Sequence, residues 1–531
     1  MMLTRRSFVR IAGGSIGLLV AAPALVGLGA GARTRWGSGD PFSLGVASGS
    51  PVPNGFVLWT RLAPDPLSPD PAAPGGMTGG DVEITYEIAA DPAMREVVRR
   101  GPAIAEVAFA HSVHVEIDGL APDRPYWYRF TAGEASSTIG RARTAPLAGA
   151  PLDRLRFGFV SCSNYEEGYF SAYRHLADED PDLVLFLGDY IYEYVNPHDG
   201  RVRVHSDGVE ASTLGTYRNR YAQYRLDSDL QRLHATAPSL VTWDDHEVQN
   251  DYGGEWSENF DEPDVFLERR TAAYRAFYEH MPLRPSLSRP KGDRMRIYDR
   301  FAFGDLAEFS VIDGRQYRSR AACYIPPNRG GGRLENDSSC PERRDPNRTM
   351  LGMPQEAWLY NGLTRSKARW NVIAQNMMMA ELREQQAGGD FKVSTEDWNG
   401  YPECRARLLR HLHDSKAANP VVLSGDMHAY WTSDLRLDFD DERAPIVATE
   451  FVGTSVTSGC PPFESYARHL PNNPHIRFFE SRKRGYVSVD LTPAQMTTRL
   501  RTVSDATKPD ASVATLETFV IEDGRAGAIG A

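Results

Sequence analysis

The sequence predicts an α/β fold: a layered domain of mixed β-sheets flanked by helices, preceded by a small antiparallel β-sandwich. Three observations carry that prediction. From about residue 153 short apolar strands alternate with helical segments, which is the texture of layered α/β domains. Residues 40–145 instead hold short runs, several with two-residue alternation, split by Gly, Pro, Asn and Asp, as in a small sandwich. Between the two lies "APLAGAPLD", a linker rich in Pro, Ala and Gly.

At 531 residues the chain is too long for one ordinary core. A hydrophobic content of 41% with 24% charged residues places it among globular proteins and excludes a disordered or fibrous one. A formal net charge of −11 argues against general nucleic-acid binding and against acidic membrane surfaces. A phosphate-binding enzyme of that charge needs local cations, and metal ions can supply them.

Residues 1–32 read as an address. "TRRSFVR" (Thr4 to Arg10) is a twin arginine followed by Ser and Phe. A weakly apolar run comes next and ends at Ala30, Gly31 and Ala32, a small-residue cleavage site. The stretch reads as a twin-arginine signal in preference to an ordinary export signal or a membrane anchor, so the expected partner is the twin-arginine export machinery and the expected destination is periplasmic or secreted. No later segment reaches the roughly 18–20 apolar residues of a membrane span.

Within residues 40–145, "FVLWTRLAP", "DVEITYEIAAD", "HSVHVEIDGLAPDRPYWYRFTAG" and "SSTIGRARTAP" supply the sandwich strands. In residues 153–515 the strands are "LRFGFVS", "DLVLFLG", "PSLVTWD", "RWNVIAQN", "NPVVLSG" and "APIVATEFVG". Antiparallel strands are expected in "RIYDRFAFGDLAEFSVIDGRQY" and "RGYVSVDLT", and helices in "TYRNRYAQYRLDSDLQRLHA" and "EAWLYNGLTRSKA". Of five cysteines, Cys323 and Cys340 flank a polar Gly-rich loop and are expected to close it, and Cys404 with Cys460 is a second candidate pair. Cys162 is left at the end of an apolar strand.

The chemistry gathers where strands end. The first delivers Cys162 and Asn164, the second Asp189 and Tyr192. "LVTWDDHEVQNDY" delivers Asp244, Asp245, His246, Glu247 and Asn250, and "VVLSGDMHAYW" delivers Asp426 and His428. Ligands of open α/β sheets bind beyond the carboxyl ends of the strands, so these distant segments can converge. Taken as ligands, Asp189 would bridge two metals and Tyr192 would bind one as phenolate. Thiolate and phenolate together favour ferric iron, Fe(3+). The carboxylates Asp245 and Asp426 suit calcium, Ca(2+), which takes oxygen ligands.

"GD-x-x-Y" (Gly188, Asp189, Tyr192), the Asp245–His246–Glu247 step and "GD-x-H" (Gly425, Asp426, His428) resemble the metal blocks of calcineurin-like metallophosphatases. "SCSNY", "GDYIYE", "WDDHEVQNDY", "LGMPQEAWL" and "LSGDMHAYW" resemble more narrowly the alkaline phosphatase D (PhoD-type) family, over nearly the whole mature chain. The resemblance implies that Cys162, Asp189, Tyr192 and His428 hold ferric iron, and that Asp426 with Asp245 holds calcium. Wider relatives carry Asn at the Asp245 position, so Asn250 is a rival oxygen ligand. His246 is the implied general acid, and Asp189 the catalytic bridge. Arg218 and Asn164 are candidate substrate contacts, with Arg220 as a rival.

The implied reaction is hydrolysis of phosphomonoesters or phosphodiesters by attack of a metal-bound hydroxide, with no phosphoryl-enzyme. "GTSVTSG" (Gly453 to Gly459) lacks the strand–turn–helix context of a nucleophilic serine. Expected substrates are small phosphate esters or phospholipid- and teichoic-type phosphodiesters. Alternative readings are a phospholipase D-like phosphodiesterase and a non-catalytic exported binding protein.

Overall fold

Unbroken apolar runs such as Leu183–Leu187 and Pro420–Ser424 make strands buried on both faces, and here two sheets are built around them. The computed structural model describes residue 36 and residues 39–196, 200–324, 331–386 and 388–531. The expected signal, residues 1–32, lies outside the described residues.

One sheet has ten strands. In spatial order they are Ile529–Gly530, Val513–Glu522, Gln495–Val503, Gly485–Leu491, Leu155–Val160, Leu183–Leu187, Ser239–Thr242, Val46–Val52, Gly55–Arg61 and Ser112–Ile117. The other has seven: Asp299–Phe303, Ala307–Val311, Trp370–Ala374, Pro420–Ser424, Ile446–Val452, Tyr430–Arg436 and Ile476–Glu480. The central strands of both run parallel, in registers such as Leu185 against Leu240 and Val372 against Val421.

Side chains alternate across each strand. Leu183, Leu185 and Leu187 join Phe157, Phe159, Val372, Leu423 and Phe451 in one apolar layer contributed by both sheets. Val184 and Phe186 instead meet Tyr173, Tyr221 and Phe277 from the helices Ser171–Asp178, Leu214–Arg225 and Pro263–His280. Helices Met353–Arg365 and Pro402–Ser415 cover the second sheet through Leu359, Leu408 and Leu412, which pack with Ile373 and Val422. This is the α/β layering that the sequence predicts.

The β-rich N-terminal part is joined to the rest more closely than its linker suggests. Its strands Val46–Val52, Gly55–Arg61 and Ser112–Ile117 continue the ten-stranded sheet, with Gly49 pairing in parallel with Ser239. Strands Val82–Ala89, Val97–Ala105, Pro125–Ala132, Ala135–Ser136 and Gly140–Arg143 form the opposing sheet, over a core of Phe56, Leu58, Ile84, Tyr128 and Phe130. Residues Trp36–Ala531 are accordingly one compact unit. The join covers Ser239–Thr242, which would otherwise be an open sheet edge.

The long helical stretch after residue 213 is two helices, Leu214–Arg225 and Ser228–Thr236. Asp227 caps the second by accepting from the N–H groups of Asp229 and Leu230 at 3.0 and 3.2 Å. Cys323 and Cys340 are joined as expected. The candidate Cys404–Cys460 pair is not formed. Cys404 is buried on the helix Pro402–Ser415, where its thiol donates to Glu356 Oε1 at 3.1 Å, while Cys460 lies beyond the strand Ile446–Val452. Among the described residues no helix is long and apolar enough to cross a membrane.

Candidate metal centre

The carboxyl ends of strands from both sheets deliver the centre. Leu155–Val160 leads to Cys162, Leu183–Leu187 to Asp189 and Ser239–Thr242 to Asp244 and Asp245, while Pro420–Ser424 of the second sheet leads to Asp426 and His428. Each chain must turn sharply there. Cys162, Asp189, Asp426 and His428 all hold left-handed backbone, with φ of 59°, 51°, 66° and 49°. Such conformations cost on the order of 1–3 kcal/mol each and gather where a function needs them. Gly188 (φ 101°) has no alternative, because a Cβ there would lie 2.5 Å from Asp244 Cβ. Gly425 lets the two sheets approach, since its Cβ would meet Ser161 Oγ at 2.6 Å.

Three overlapping groups result, each with its donor atoms within 4.8 Å of one another: Cys162, Asp189 and His428; Asp189, Asp245 and His246; and Asp244, Asp245 and Asp426. Asp189 belongs to two of them. Its Oδ2 accepts from the Tyr192 hydroxyl at 3.0 Å, and Tyr192 Oη lies 3.1 Å from His428 Nε2. His428 Nδ1–H donates to Gly459 O at 2.7 Å, which leaves Nε2 as the ligand nitrogen. Burial holds the His428 imidazole down at about 4, in the neutral form that metals take.

The donor set fits cations. Among the described residues no hydrogen-bond donor meets the buried Asp189 Oδ1 and Asp244 Oδ2, and Asp245 Oδ1 is met only by the Arg315 guanidinium. Buried carboxylate oxygens are seldom left so unless an ion or water meets them. Burial drives the carboxyls of Asp189 and Asp426 well above their usual range, and neighbouring acids reinforce it. For Asp245, burial acts in the same direction but is outweighed by Arg315 and His246, so its carboxyl falls below the usual value. Arg315 is fully buried; its Nε donates to Asp244 Oδ1 at 2.5 Å and its Nη2 is 3.3 Å from Asp245 Oδ1. Its Nη1 pairs with Glu396. Arg315 faces Asp244, Asp245, Glu396 and Asp426, and bound cations would take the place of the protons that burial favours on Asp189 and Asp426. Burial also drives the Cys162 thiol well up, so it becomes a thiolate only when an ion displaces its proton.

Several neighbours fix this arrangement. The Glu247 carboxylate accepts from the backbone N–H groups of Asp189 at 3.1 Å, Tyr190 at 2.5 Å and Asp244 at 2.7 Å, tying two strand ends together. Glu193 Oε2 lies 2.7 Å from His246 Nδ1, and its Oε1 accepts from Asn250 N at 2.8 Å. Burial disfavours the imidazolium of His246, yet Glu193, Asp245 and Asp189 together hold its pKa well above normal. Asp251 N donates to Asp245 Oδ2 at 2.7 Å.

The remaining sequence candidates fall elsewhere. Asn250 Nδ2 donates to Glu258 at 2.7 Å, and Asn250 N donates to Glu193 Oε1 at 2.8 Å. Asn164 spends its side chain on Glu166 N at 3.0 Å and on Tyr194 Oη at 3.2 Å. Arg218 forms a two-pronged pair with Glu279, both contacts 2.6 Å, and no hydrogen bond links it to the cluster. Arg220 donates to the carbonyls of Tyr192, of Glu193 at 2.8 Å and of Tyr194 at 3.2 Å, so it props the Tyr192 segment from behind. Sequence reasoning gave no role to Glu193, Glu247, Asp244 or Arg315. The strand-end rule already marks Asp244 and Glu247; Glu193 stands inside a motif singled out above and Arg315 follows the strand Ala307–Val311, so the same rule could have found both.

Donors of this kind, gathered from two facing mixed sheets, define a protein of the α/β class with a candidate metal centre at its strand ends. The PhoD-like phosphatase family matches residues 157–500, and the PhoD-like phosphatase N-terminal domain matches residues 29–146. Alkaline phosphatase D of Bacillus subtilis (strain 168) is 43% identical over 535 residues, covering 98% of this chain and 88% of that protein. A solved structure of PhoD superposes with a TM-score of 0.87 at 43% identity, covering 93% of this chain and 92% of that one. The chain belongs to the PhoD-like phosphatase family and is a phosphoric ester hydrolase.

Proposed function

We propose that the chain is an exported phosphoesterase acting on phosphomonoesters or phosphodiesters, with Cys162, Asp189, Tyr192 and His428 holding ferric iron and Asp245 with Asp426 holding calcium. One observation carries the reading: two donor-free, buried carboxylate oxygens, of Asp189 and Asp244, and a third, of Asp245, met only by Arg315, share a crevice with a thiol, a phenol and a neutral imidazole. When bound, such ions supply Lewis acidity at phosphorus and lower the pKa of water. Asp189 would be shared by the two ions, since it groups with Cys162 and His428 on one side and with Asp245 on the other. Asp244 is held by Arg315 and by Asn376 Nδ2 at 2.6 Å, which turns its other oxygen to the cluster.

His246 is the general acid. Glu193 engages its Nδ1, so Nε2 is the nitrogen free to protonate a leaving alkoxide. Water is the nucleophile, for the nearby hydroxyls are committed to other bonds. Ser163 Oγ donates to the carbonyls of Asp189 and Tyr190 at 3.2 and 3.1 Å, and Ser458 Oγ reaches Tyr192 Oη and Cys162 O. Export is supported by the twin-arginine stretch Thr4 to Arg10, together with the Cys323–Cys340 disulfide, a bond that persists in oxidising compartments.

The test is elemental analysis of the exported protein, with phosphatase activity followed through chelation and calcium restoration. Iron plus calcium, with activity lost on chelation and regained with calcium, is the expected result. Zinc alone, or full activity without metal, overturns the ligand assignment. A chiral phosphate product should show inversion, and retention would sink direct attack by water.

A further inference from the structure

The loop Gly453–Gly459 supplies no metal ligand and no reacting group, yet it lies against the metal centre. Ser455 bridges Ser161 in parallel fashion, Val456 N donates to Ser161 O at 3.0 Å, and Ser458 N donates to Cys162 O at 3.2 Å. Ser458 is 1% exposed, and its Oγ lies 2.7 Å from Tyr192 Oη and 2.9 Å from Cys162 O. The next residue, Gly459, supplies the carbonyl that accepts from His428 Nδ1–H at 2.7 Å. Arg484 fastens the loop from behind, its Nε donating to Thr457 O at 2.8 Å and to Ser458 O at 3.0 Å.

A count of protons around Tyr192 gives this loop its meaning. Three side chains reach the phenol oxygen: Asp189 Oδ2 at 3.0 Å, His428 Nε2 at 3.1 Å and Ser458 Oγ at 2.7 Å. As a metal ligand Tyr192 binds through an oxygen that has given up its proton. Asp189 then offers only lone pairs, and so does His428, whose ring proton is spent on Gly459. Of the three, Ser458 alone can donate. Its hydrogen is free to turn away from Cys162 O, because that carbonyl also accepts from Ser458 N and Thr457 N.

We propose that Ser458 is a positioning residue that donates a hydrogen bond to the Tyr192 oxygen and thereby sets how strongly Tyr192 donates to its metal ion. The inference rests on the ligand reading above. A hydrogen bond to a phenolate draws charge off the oxygen, and outer-shell contacts of this sort tune metal centres. Removing the hydroxyl raises the energy of the oxygen lone pairs and narrows the gap for charge transfer to ferric iron.

The experiment is the visible absorption spectrum of the iron-loaded protein and of Ser458→Ala, with iron content measured on the same samples. The tyrosinate-to-iron band should move to longer wavelength in Ser458→Ala at unchanged iron content. Ser458→Thr, which keeps the hydroxyl, should restore the parent position. An unmoved band in Ser458→Ala overturns the role of Ser458 and leaves the ligand reading standing. A parent protein with iron but no such band overturns both, because Tyr192 is then no ligand. Should Ser458→Ala fail to retain iron, Arg484→Gln loosens the loop and keeps the hydroxyl. A smaller shift in the same direction is expected there, and no shift overturns the proposal.

Discussion

Replacing Glu193 with Gln tests the acid role of His246 at almost constant volume. Glu193 is 2% exposed, its Oε2 lies 2.7 Å from His246 Nδ1, and its Oε1 accepts from Asn250 N. The amide keeps one acceptor oxygen for two donors and loses the charge that favours the imidazolium. A hydrogen bond to a charged group contributes about 1.5–3 kcal/mol against about 0.5–1.5 for a neutral one. A loss of about 1–2 kcal/mol at the proton-transfer step corresponds to about a 5- to 30-fold fall in rate. The size of the loss matters less than its dependence on the leaving group. Nitrophenolate departs without a proton, whereas an alkoxide needs one. We expect kcat/KM for an alkyl phosphate to fall by that factor in Glu193→Gln, while the value for nitrophenyl phosphate changes little. Metal content and thermal unfolding, measured alongside, separate chemistry from damage. Equal losses on both substrates, or no loss on either, would refute the assignment of His246 as the acid.

Three further outcomes are expected. Asp189→Asn should abolish turnover, and near-parental activity with metals retained would contradict its bridging role. Glu247→Gln removes one of two acceptor oxygens that serve three backbone N–H groups. Urea unfolding should show a loss of about 2–4 kcal/mol, and stability within error of the parent would show that the strand ends are held by something else. The third concerns acid. His114 donates Nε2–H to the carbonyls of Tyr278 and Met281, both at 3.0 Å, and burial holds its pKa down from 6.5 to about 4. Between those values the unfolded chain binds the extra proton, so stability is intact above pH 6.5 and declines as pH falls toward 4, by up to about 1.4 kcal/mol per unit. His114→Gln should flatten that stretch of the stability–pH curve, and an unchanged slope would show that His114 is not responsible.

Strands were legible because their apolar runs are unbroken, and the clustered donors could be marked because they stand two to four residues beyond those runs. Asp189, Asp245, Asp426 and His428 could be marked by that rule alone. Arg218 misled because a helical arginine near a motif carries no sign of its partner, and Glu279 stands on another helix. Glu396 reaches Arg315 from a loop with no motif of its own. The Cys404–Cys460 pairing failed because chain distance says nothing of which thiol a helix will bury. The continuous sheet was hidden for a similar reason, since a parallel pairing between Gly49 and Ser239 leaves no local trace in either segment.

The order of strands in that sheet also dictates when the protein can finish folding. Leu155–Val160 is flanked on one side by Leu183–Leu187, made soon after it, and on the other by Gly485–Leu491, near the end of the chain. During synthesis it therefore waits with one edge unpaired until nearly everything else has emerged. Pairings of such long range are slow to form, and an open edge invites association with other chains. Truncations that remove the final strands should thus aggregate rather than leave a smaller working enzyme. The strand kept waiting is the one that carries Cys162, so the metal centre is walled in only when the last part of the chain arrives.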